Sequence, residues 1–248
     1  SASYQLEGGY KDDGKGLNIW DVYTNCSSAG EKRFVRYNET GNEACDHYHR
    51  YKEDIALMKE MGIKNYRFSI SWTRILPDGT GKVNEAGIRF YSDLVDELLR
   101  NGITPLVTLF HWDYPYKLHQ RGGWMNPDSS DWFAEYAKVV VDALSDRVKY
   151  WMTINEPQVF IGCGYAIGKF APFQKLPVRD LAQMCHNVLL AHGKTVKMIR
   201  ECAKKTPKIG FAFSTPCTTP TDNSPLAIEI ARQKSFAFTR ERFAFETA

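Results

Sequence analysis

Glu156 closes the run Lys149–Pro157, KYWMTINEP, and is the carboxyl in this sequence best placed for proton transfer. The apolar and β-branched residues before it read as a strand, and Pro157, which has no N–H to give to a ladder, stops that strand. A carboxyl at such a strand end sits beside a largely apolar wall. Such surroundings favour the protonated form, which a general acid near neutral pH needs. Asn155, one residue earlier, points to the other face of the pleat unless the strand kinks, and its amide can donate to a hydroxyl group. Standing alone, an Asn-Glu-Pro triplet is more often a strand-ending turn with a surface carboxylate. The context reverses that balance, because His111-Trp112-Asp113 ends the preceding strand. An imidazole and an indole there offer one donor and one stacking face to a bound ring. Two neighbouring strands that end in polar and aromatic groups describe a saccharide cleft.

Arg67 lies in YRFSISW (66–72), on a strand expected to be buried, and a buried guanidinium needs a carboxylate partner. Two readings stand level. One is a structural ion pair with an acidic residue such as Asp113; the other is an arginine that holds a catalytic carboxylate ionised and in position. Other titratable residues have plainer readings. His47 and His49 flank Tyr48 at a helix start without a third ligand, so no metal site is expected. His192 falls within a helical pattern as a packing residue, and Asp12-Asp13 and Glu53-Asp54 read as solvated.

The elements that must position these groups alternate along the chain. Helical periodicity over 46–61 puts Tyr48, Tyr51, Ile55 and Met58 on one face, with Gly62 as the stop. A strand is predicted over 63–72. A helix over 84–100 carries Ile88, Tyr91, Val95 and Leu98 and closes at Asn101-Gly102. Residues 104–110 form a near-continuous apolar strand, of the kind buried on both faces in a parallel sheet. The rhythm continues with a helix over 128–143, a strand over 148–154, a helix over 177–203, a strand over 208–214 and a helix over 224–242. Ala2–Gln5 reads as the stump of an earlier strand.

Repeated strand–helix units imply parallel strands with right-handed crossovers, either a doubly wound sheet or a (β/α)₈ barrel. No Gly-x-Gly-x-x-Gly follows any strand, against a dinucleotide fold. Polar and aromatic clusters follow the strands instead, which is the barrel pattern. The fold class expected is therefore an α/β TIM barrel with about the first five βα units present, forming one domain over residues 1–248.

Composition narrows the function classes. Of 248 residues, 43% are hydrophobic and 25% charged, an ordinary globular profile. A net charge of +3, with 32 basic residues scattered among 29 acidic ones, gives no case for nucleic acid. No apolar run reaches the roughly 18 residues of a membrane helix, and no signal peptide is visible. Six cysteines without a Cys-x-x-Cys pair read as reduced, mostly buried thiols, which points to the cytoplasm. No cofactor is implied, and nothing sets the oligomeric state. Residue 1 is Ser, and aromatics still recur at the last residues, so the chain reads as a fragment.

At SYQLEGG (3–9), HWD (111–113) and TINEP (153–157) the sequence resembles glycoside hydrolase family 1, the family of β-glucosidases, β-galactosidases, 6-phospho-β-glycosidases and myrosinases. GKGLNIWD (14–21), ACDHYHRYKED (44–54), YRFSISWTRILPDG (66–79), GGWMNPD (122–128) and LAHGKTV (190–196) follow in that family's order. The resemblance implies a (β/α)₈ barrel and double displacement with retention of configuration. It implies Glu156 as the acid/base at the end of the barrel's fourth strand. It places Gln5, His111 and Asn155 on the sugar, with Asn155 at the 2-hydroxyl, Trp112 as the aromatic beside it, and Arg67 next to the nucleophile. Glu7 is a family position too and reads as structural. Plant myrosinases carry Gln at the acid/base position, whereas this chain keeps Glu156, as an ordinary alcohol or sugar leaving group requires.

The departures are equally clear. A retaining enzyme needs a second carboxylate about 5–5.5 Å from the first. The family supplies it from an (I/V)-T-E-N-G segment, and none of Glu201, Glu229, Glu241 and Glu246 is followed by Asn-Gly here. The Phe-x-Trp-Gly lead into the first strand is also missing. The expected parent is a retaining exo-β-glycosidase acting on β-glucosides such as short cello-oligosaccharides, with this chain inactive alone. The alternatives are a 6-phospho-β-glucosidase and an inactive, sugar-binding half barrel.

Overall fold

Apolar runs set between amphipathic segments call for a sheet covered by helices. The structure, a computed structural model describing residues 2–25, 35, 39–214 and 217–236, has that form. Its strands are β1 (Asn65–Ser69), β2 (Thr104–Phe110), β3 (Tyr150–Asn155) and β4 (Lys208–Ala212). They lie side by side in sequence order and pair in parallel: Arg67 stands opposite Leu106, Val107 opposite Trp151, and Tyr150 opposite Lys208. A doubly wound sheet reverses its order at a switch point. This sheet never does, which is the arrangement of a (β/α) barrel wall. The helices, in chain order, are α1 (Ser3–Leu6), α2 (Ile19–Asn25), α3 (His47–Glu60), α4 (Trp72–Ile75), α5 (Glu85–Arg100), α6 (Tyr116–Gln120), α7 (Ser129–Leu144), α8 (Pro157–Ile161), α9 (Val178–Cys202) and α10 (Pro225–Phe236).

Local signals explain most of these boundaries. The Asn84 side chain accepts from the Ala86 N–H at 3.3 Å and so caps α5. Tyr91, Leu94, Val95 and Leu98 then bury one stripe, and Gly102 (φ 72°) follows the helix end in the left-handed region. Gly87 is required by contact rather than by conformation: a Cβ there would lie 2.1 Å from the Arg74 carbonyl oxygen. That glycine lets α5 sit against α4.

Several expectations need correction. Ala2–Gln5 is not the stump of a strand: Ser3–Leu6 is a helical turn closed by the Glu7 N–H donating to the Ser3 carbonyl at 2.7 Å. A run that short has no period to tell the two apart. Four strands rather than five are therefore present among the described residues. The strand predicted over 63–72 stops at Ser69, and Trp72 begins α4. Asp54 is paired with His47 at 2.5 Å and Asp13 accepts from the Tyr48 hydroxyl at 2.5 Å, so neither is simply solvated. Cys45 and Cys217 are exposed and Cys163, Cys185 and Cys202 half-buried, all five free thiols, so the thiols are less buried than expected. Cys26, Glu241, Glu246 and the end of the helix predicted over 224–242 lie outside the described residues. Among the described residues no helix is long and apolar enough to cross a membrane.

The core that supports the strand ends is aromatic. Trp72, Phe110, Trp124, Phe133 and Tyr136 are all fully buried. The Trp72 and Tyr136 rings stack at 4.9 Å, and Phe110 meets Trp124 edge-on at 5.4 Å. Such pairs contribute about 0.5–1.5 kcal/mol each beyond their area. The Trp72 indole donates to Gly79 O and the Tyr136 hydroxyl to Leu109 O, each at 2.8 Å, whereas the buried Trp124 indole N–H has no partner among the described residues. Phe110 is the last residue of β2, so this cluster anchors the backbone that carries His111 and Trp112.

Candidate active site

The first three strands deliver their polar groups to one place. Arg67 of β1 donates through Nε to Thr108 Oγ1 of β2 at 2.9 Å and through Nη2 to Asn155 Oδ1 of β3 at 2.5 Å. Asn155 Nδ2 lies 3.1 Å from His111 Nε2, just past the end of β2. The donor inventory fixes the protons along this chain of contacts. A guanidinium has no acceptor, so the Asn155 oxygen must face Arg67 and its NH₂ must face His111. His111 Nε2 then accepts, and the ring proton sits on Nδ1. Burial lowers the His111 pKa to about 3, with the Arg67 charge adding to the effect, so the ring is neutral at ordinary pH. His111 Nδ1 is enclosed without a hydrogen-bond partner among the described residues.

Asn155 reaches this cluster because the strand kinks. The β3–β4 register shifts between Met152 and Asn155, and Glu156 takes up a left-handed conformation (φ 43°, ψ 63°). The Glu156 N–H is held by Ala212 O of β4 at 2.7 Å, and the residue sits at the start of α8 with Pro157 in the first turn. Trp112, at the end of β2, is likewise left-handed at φ 80°. Its indole donates to the Asn155 carbonyl at 2.9 Å, and the Tyr114 N–H returns to its own carbonyl at 3.0 Å. A bulky or charged side chain at positive φ costs about 1–3 kcal/mol and persists only where its surroundings over-determine it. Two such residues on adjacent strand ends are tied to each other through Asn155, so their surroundings hold them there.

Glu156 is half-exposed and beside the cluster electrostatically. Burial lowers the Arg67 pKa, and the negative charge that offsets this is Glu156. Asp113 is engaged elsewhere: fully buried, it accepts from Ser3 Oγ at 3.4 Å. Burial raises its pKa to about 7, opposed by a backbone hydrogen bond and by the Lys15 charge. The ion pair considered between Arg67 and Asp113 is thus replaced by an electrostatic partnership with Glu156.

Gln5 is exposed on α1, and no described contact joins its side chain to the cluster. Its turn is held next to the strand ends by Ser3, whose N–H donates to Ser69 Oγ at 2.6 Å. An aromatic arc that the residue pattern does not announce lies beside the cluster. Trp112 lies 5.7 Å from Phe170, Phe170 lies 5.9 Å from Trp20, and Trp20 stacks on Tyr4 at 5.5 Å. Tyr4 and Trp20 stand on the short helices α1 and α2, and Trp112 and Phe170 in irregular segments; none of these stretches is long enough to show a period, so only the density of rings could have drawn notice. His192 is packed as expected, stacked on Phe211 at 3.9 Å with Nδ1 2.8 Å from Thr153 Oγ1.

A second polar network lies close by and is closed. Glu7 Oε1 accepts from Arg74 Nε at 2.6 Å and Oε2 from the Tyr91 hydroxyl at 2.5 Å. Arg74 Nη2 donates to the carbonyls of Gly8 and Gly9 at 3.2 and 3.0 Å. Both charges are buried and every arm is taken, which fits the structural reading of Glu7.

Comparison with known proteins follows the same lines. The family model for glycosyl hydrolase family 1 matches residues 1–247. β-Glucosidase A of Acetivibrio thermocellus is 47% identical over 231 residues, which are 93% of this chain and 50% of that protein. A 6-phospho-β-galactosidase of Clostridium acetobutylicum is 44% identical over 200 residues, 81% of this chain and 40% of that protein. The solved structure of a β-glucosidase from Thermotoga maritima in complex with deoxynojirimycin superimposes with a TM-score of 0.83 at 44% identity, covering 94% of this chain and 51% of that one. The chain spans about half the length of the curated relatives it matches.

Proposed function

The chain belongs to glycosyl hydrolase family 1, and from that premise we propose that it carries the acid/base half of a retaining β-glycosidase acting on terminal β-glucosides. The observation that carries the reading is the chain of contacts Arg67–Asn155–His111, set beside a left-handed Glu156 at the end of β3. In the proposed reaction Glu156 protonates the glycosidic oxygen while a second carboxylate attacks the anomeric carbon. Glu156 then takes a proton from water, which releases the sugar from the glycosyl-enzyme. Asn155 and His111 hold the ring hydroxyls, Trp112 and Gln5 border them, and Arg67 keeps the attacking carboxylate ionised. Each of these roles rests on the motif that the residue occupies.

The second carboxylate has no counterpart in the 248 residues, where no Thr-Glu-Asn-Gly occurs. The chain alone is therefore proposed to be inactive, and genuine release of nitrophenol from an aryl β-glucoside by it would overturn that. In the chain joined to the second half of a family relative, Glu156→Gln should cut turnover of alkyl glucosides by about 10²–10⁴-fold, the usual worth of general acid catalysis. Activated aryl glucosides should be spared in their first step. Equal loss on both substrates counts against the role.

A second reading, a 6-phospho-β-glycosidase, is favoured by the 44% identity to the Clostridium acetobutylicum 6-phospho-β-galactosidase. Rates with free and 6-phosphorylated aryl glucosides in the same joined protein separate the two.

A further inference from the structure

We propose that Asp113 keeps its proton in the working protein and is a positioning residue: the neutral carboxyl holds the turn from which Trp112 reaches Asn155, and loss of the proton loosens that turn. Asp113 is fully buried. Its Oδ2 accepts from Ser3 Oγ at 3.4 Å, and Oδ1 is enclosed without a hydrogen-bond partner among the described residues. A carboxylate ion buried with an oxygen unpartnered is strongly disfavoured, and such a group takes up a proton instead. The neighbouring charges point the same way. Glu7, Asp21 and Asp113 are three buried acids set among two buried cations, Lys15 and Arg74. Lys15 Nζ is taken by Asp21 at 2.7 Å and by the carbonyls of Gly16 and Tyr10 at 3.1 and 3.4 Å. An ammonium has three donors, so none remains for Asp113. Arg74 is occupied by Glu7 and by the carbonyls of Gly8, Gly9 and Asp12. A proton on Asp113 closes the count.

The packed elements each present a group to this carboxyl: Glu7 after α1, Lys15 ahead of α2, Ser71 at the start of α4 and Tyr136 of α7. Asp21 is paired with Lys15 and Arg74 with Glu7, and the adjacent His111 ring is neutral. Burial raises the Asp113 pKa to about 7, and the Glu7 charge adds to this against that of Lys15. The route from Asp113 to the site is short. Asp113 is the middle residue of the turn that the Tyr114 N–H closes on the Trp112 carbonyl at 3.0 Å, and the Tyr114 carbonyl holds the Ile19 N–H at 2.9 Å. Trp112, at φ 80°, donates its indole N–H to the Asn155 carbonyl at 2.9 Å, and Asn155 Nδ2 meets His111 Nε2 at 3.1 Å. An ionised Asp113 sets an uncompensated charge beside Glu7 at the centre of that turn. The turn relieves it by shifting toward water, and Trp112 shifts with it. The consequence for sugar binding rests on the glycosidase reading, whereas the proton and the turn do not.

Infrared difference spectra of the 248-residue chain test the proton. The band of a protonated carboxylic acid should be present at pH 6, fade with a midpoint of about 7, and be missing in Asp113→Asn. The indole N–H resonance of Trp112, assigned through Trp112→Phe, should move with the same midpoint and stand still in Asp113→Asn. Ser71→Ala keeps the carboxyl and should raise the midpoint, because the Ser71 hydrogen bond favours the ion; it serves if Asp113→Asn does not fold. In the chain joined to the second half of a family relative, KM for an aryl β-glucoside should rise about two- to tenfold from pH 6 to pH 8, the worth of one hydrogen bond. Asp113→Asn should abolish that rise and leave the pH profile of kcat as it was. Absence of the acid band at pH 6 overturns the proposal. So does a Trp112 resonance that ignores the titration, or a KM rise that survives Asp113→Asn. If the band and the resonance behave as expected while the joined protein turns over no glucoside, the positioning of Trp112 stands and the glycosidase reading fails.

Discussion

Arg67 and Arg74 lie seven residues apart in one segment, YRFSISWTRILPDG, and the fold treats them in opposite ways. Arg74 is fully buried against Glu7, over the Tyr48 ring at 3.9 Å, with Nη2 on the Gly8 and Gly9 carbonyls and Nη1 on that of Asp12. Burial acts to lower its pKa, but the charge and hydrogen bond of Glu7 outweigh that, so Arg74 is held above its ordinary value. Arg67 is half-buried, hydrogen-bonded to the neutral Thr108 and Asn155, and held below its ordinary value by burial, which the Glu156 charge partly offsets. One arginine is satisfied at every arm and locks the first loop to the barrel. The other joins three strands through Thr108 and Asn155 and lies within reach of the Glu156 charge. The lesson is that residue type does not separate scaffold from site; the state of the partners does.

The largest effect expected is on the closed network. Glu7→Ala leaves a guanidinium buried without its carboxylate and should cost about 3–5 kcal/mol in urea unfolding. Arg67→Met removes hydrogen bonds to neutral groups at a half-exposed position and should cost no more than about 1.5–3 kcal/mol. If Arg67→Met matches or exceeds Glu7→Ala, the distinction between the two arginines fails.

Asp113 lies on the boundary between these regions, with Ser3, Ser71, Lys15 and Glu7 around it. Its proton is bound more tightly folded, with a pKa of about 7, than unfolded, where 3.8 is ordinary. Stability from this group is therefore complete below about pH 4 and lost as pH rises through 7. Asp113→Asn should flatten that part of the stability profile and gain about 1–3 kcal/mol at pH 8 over the unsubstituted chain. A profile that keeps its slope after the substitution would remove Asp113 from this account.

The smallest expected effect is spectroscopic. With its pKa lowered to about 3 from 6.5, His111 loses stability only as pH falls below the ordinary histidine range. Its nitrogen resonances should show no titration above about pH 5 and a proton on Nδ1. A proton found on Nε2 would break the Arg67–Asn155–His111 order of donors and acceptors, and with it the Arg67 side of the comparison.

Much of this was legible in the residues themselves. The strand predicted over 104–110 matches β2 to the residue, and the helices predicted over 84–100 and 128–143 match α5 and α7 to within one position, because amphipathic period and caps are local properties. The alternation of elements specified a barrel wall, and the chemistry-bearing residues at the strand ends were identifiable by type. Only the tertiary structure joined them. Arg67 and Asn155 each lie tens of residues from the stretch that carries Thr108 and His111, and their contacts depend on the parallel register of β1, β2 and β3. The same holds for the choice between the two arginines, since neither partner set is near in sequence. The left-handed conformations of Trp112 and Glu156 leave no trace in composition, because a non-glycine residue is forced to positive φ by what surrounds it. Sequence determined which groups exist and which elements carry them; packing decided which of them meet, and which arginine was paired with a buried carboxylate.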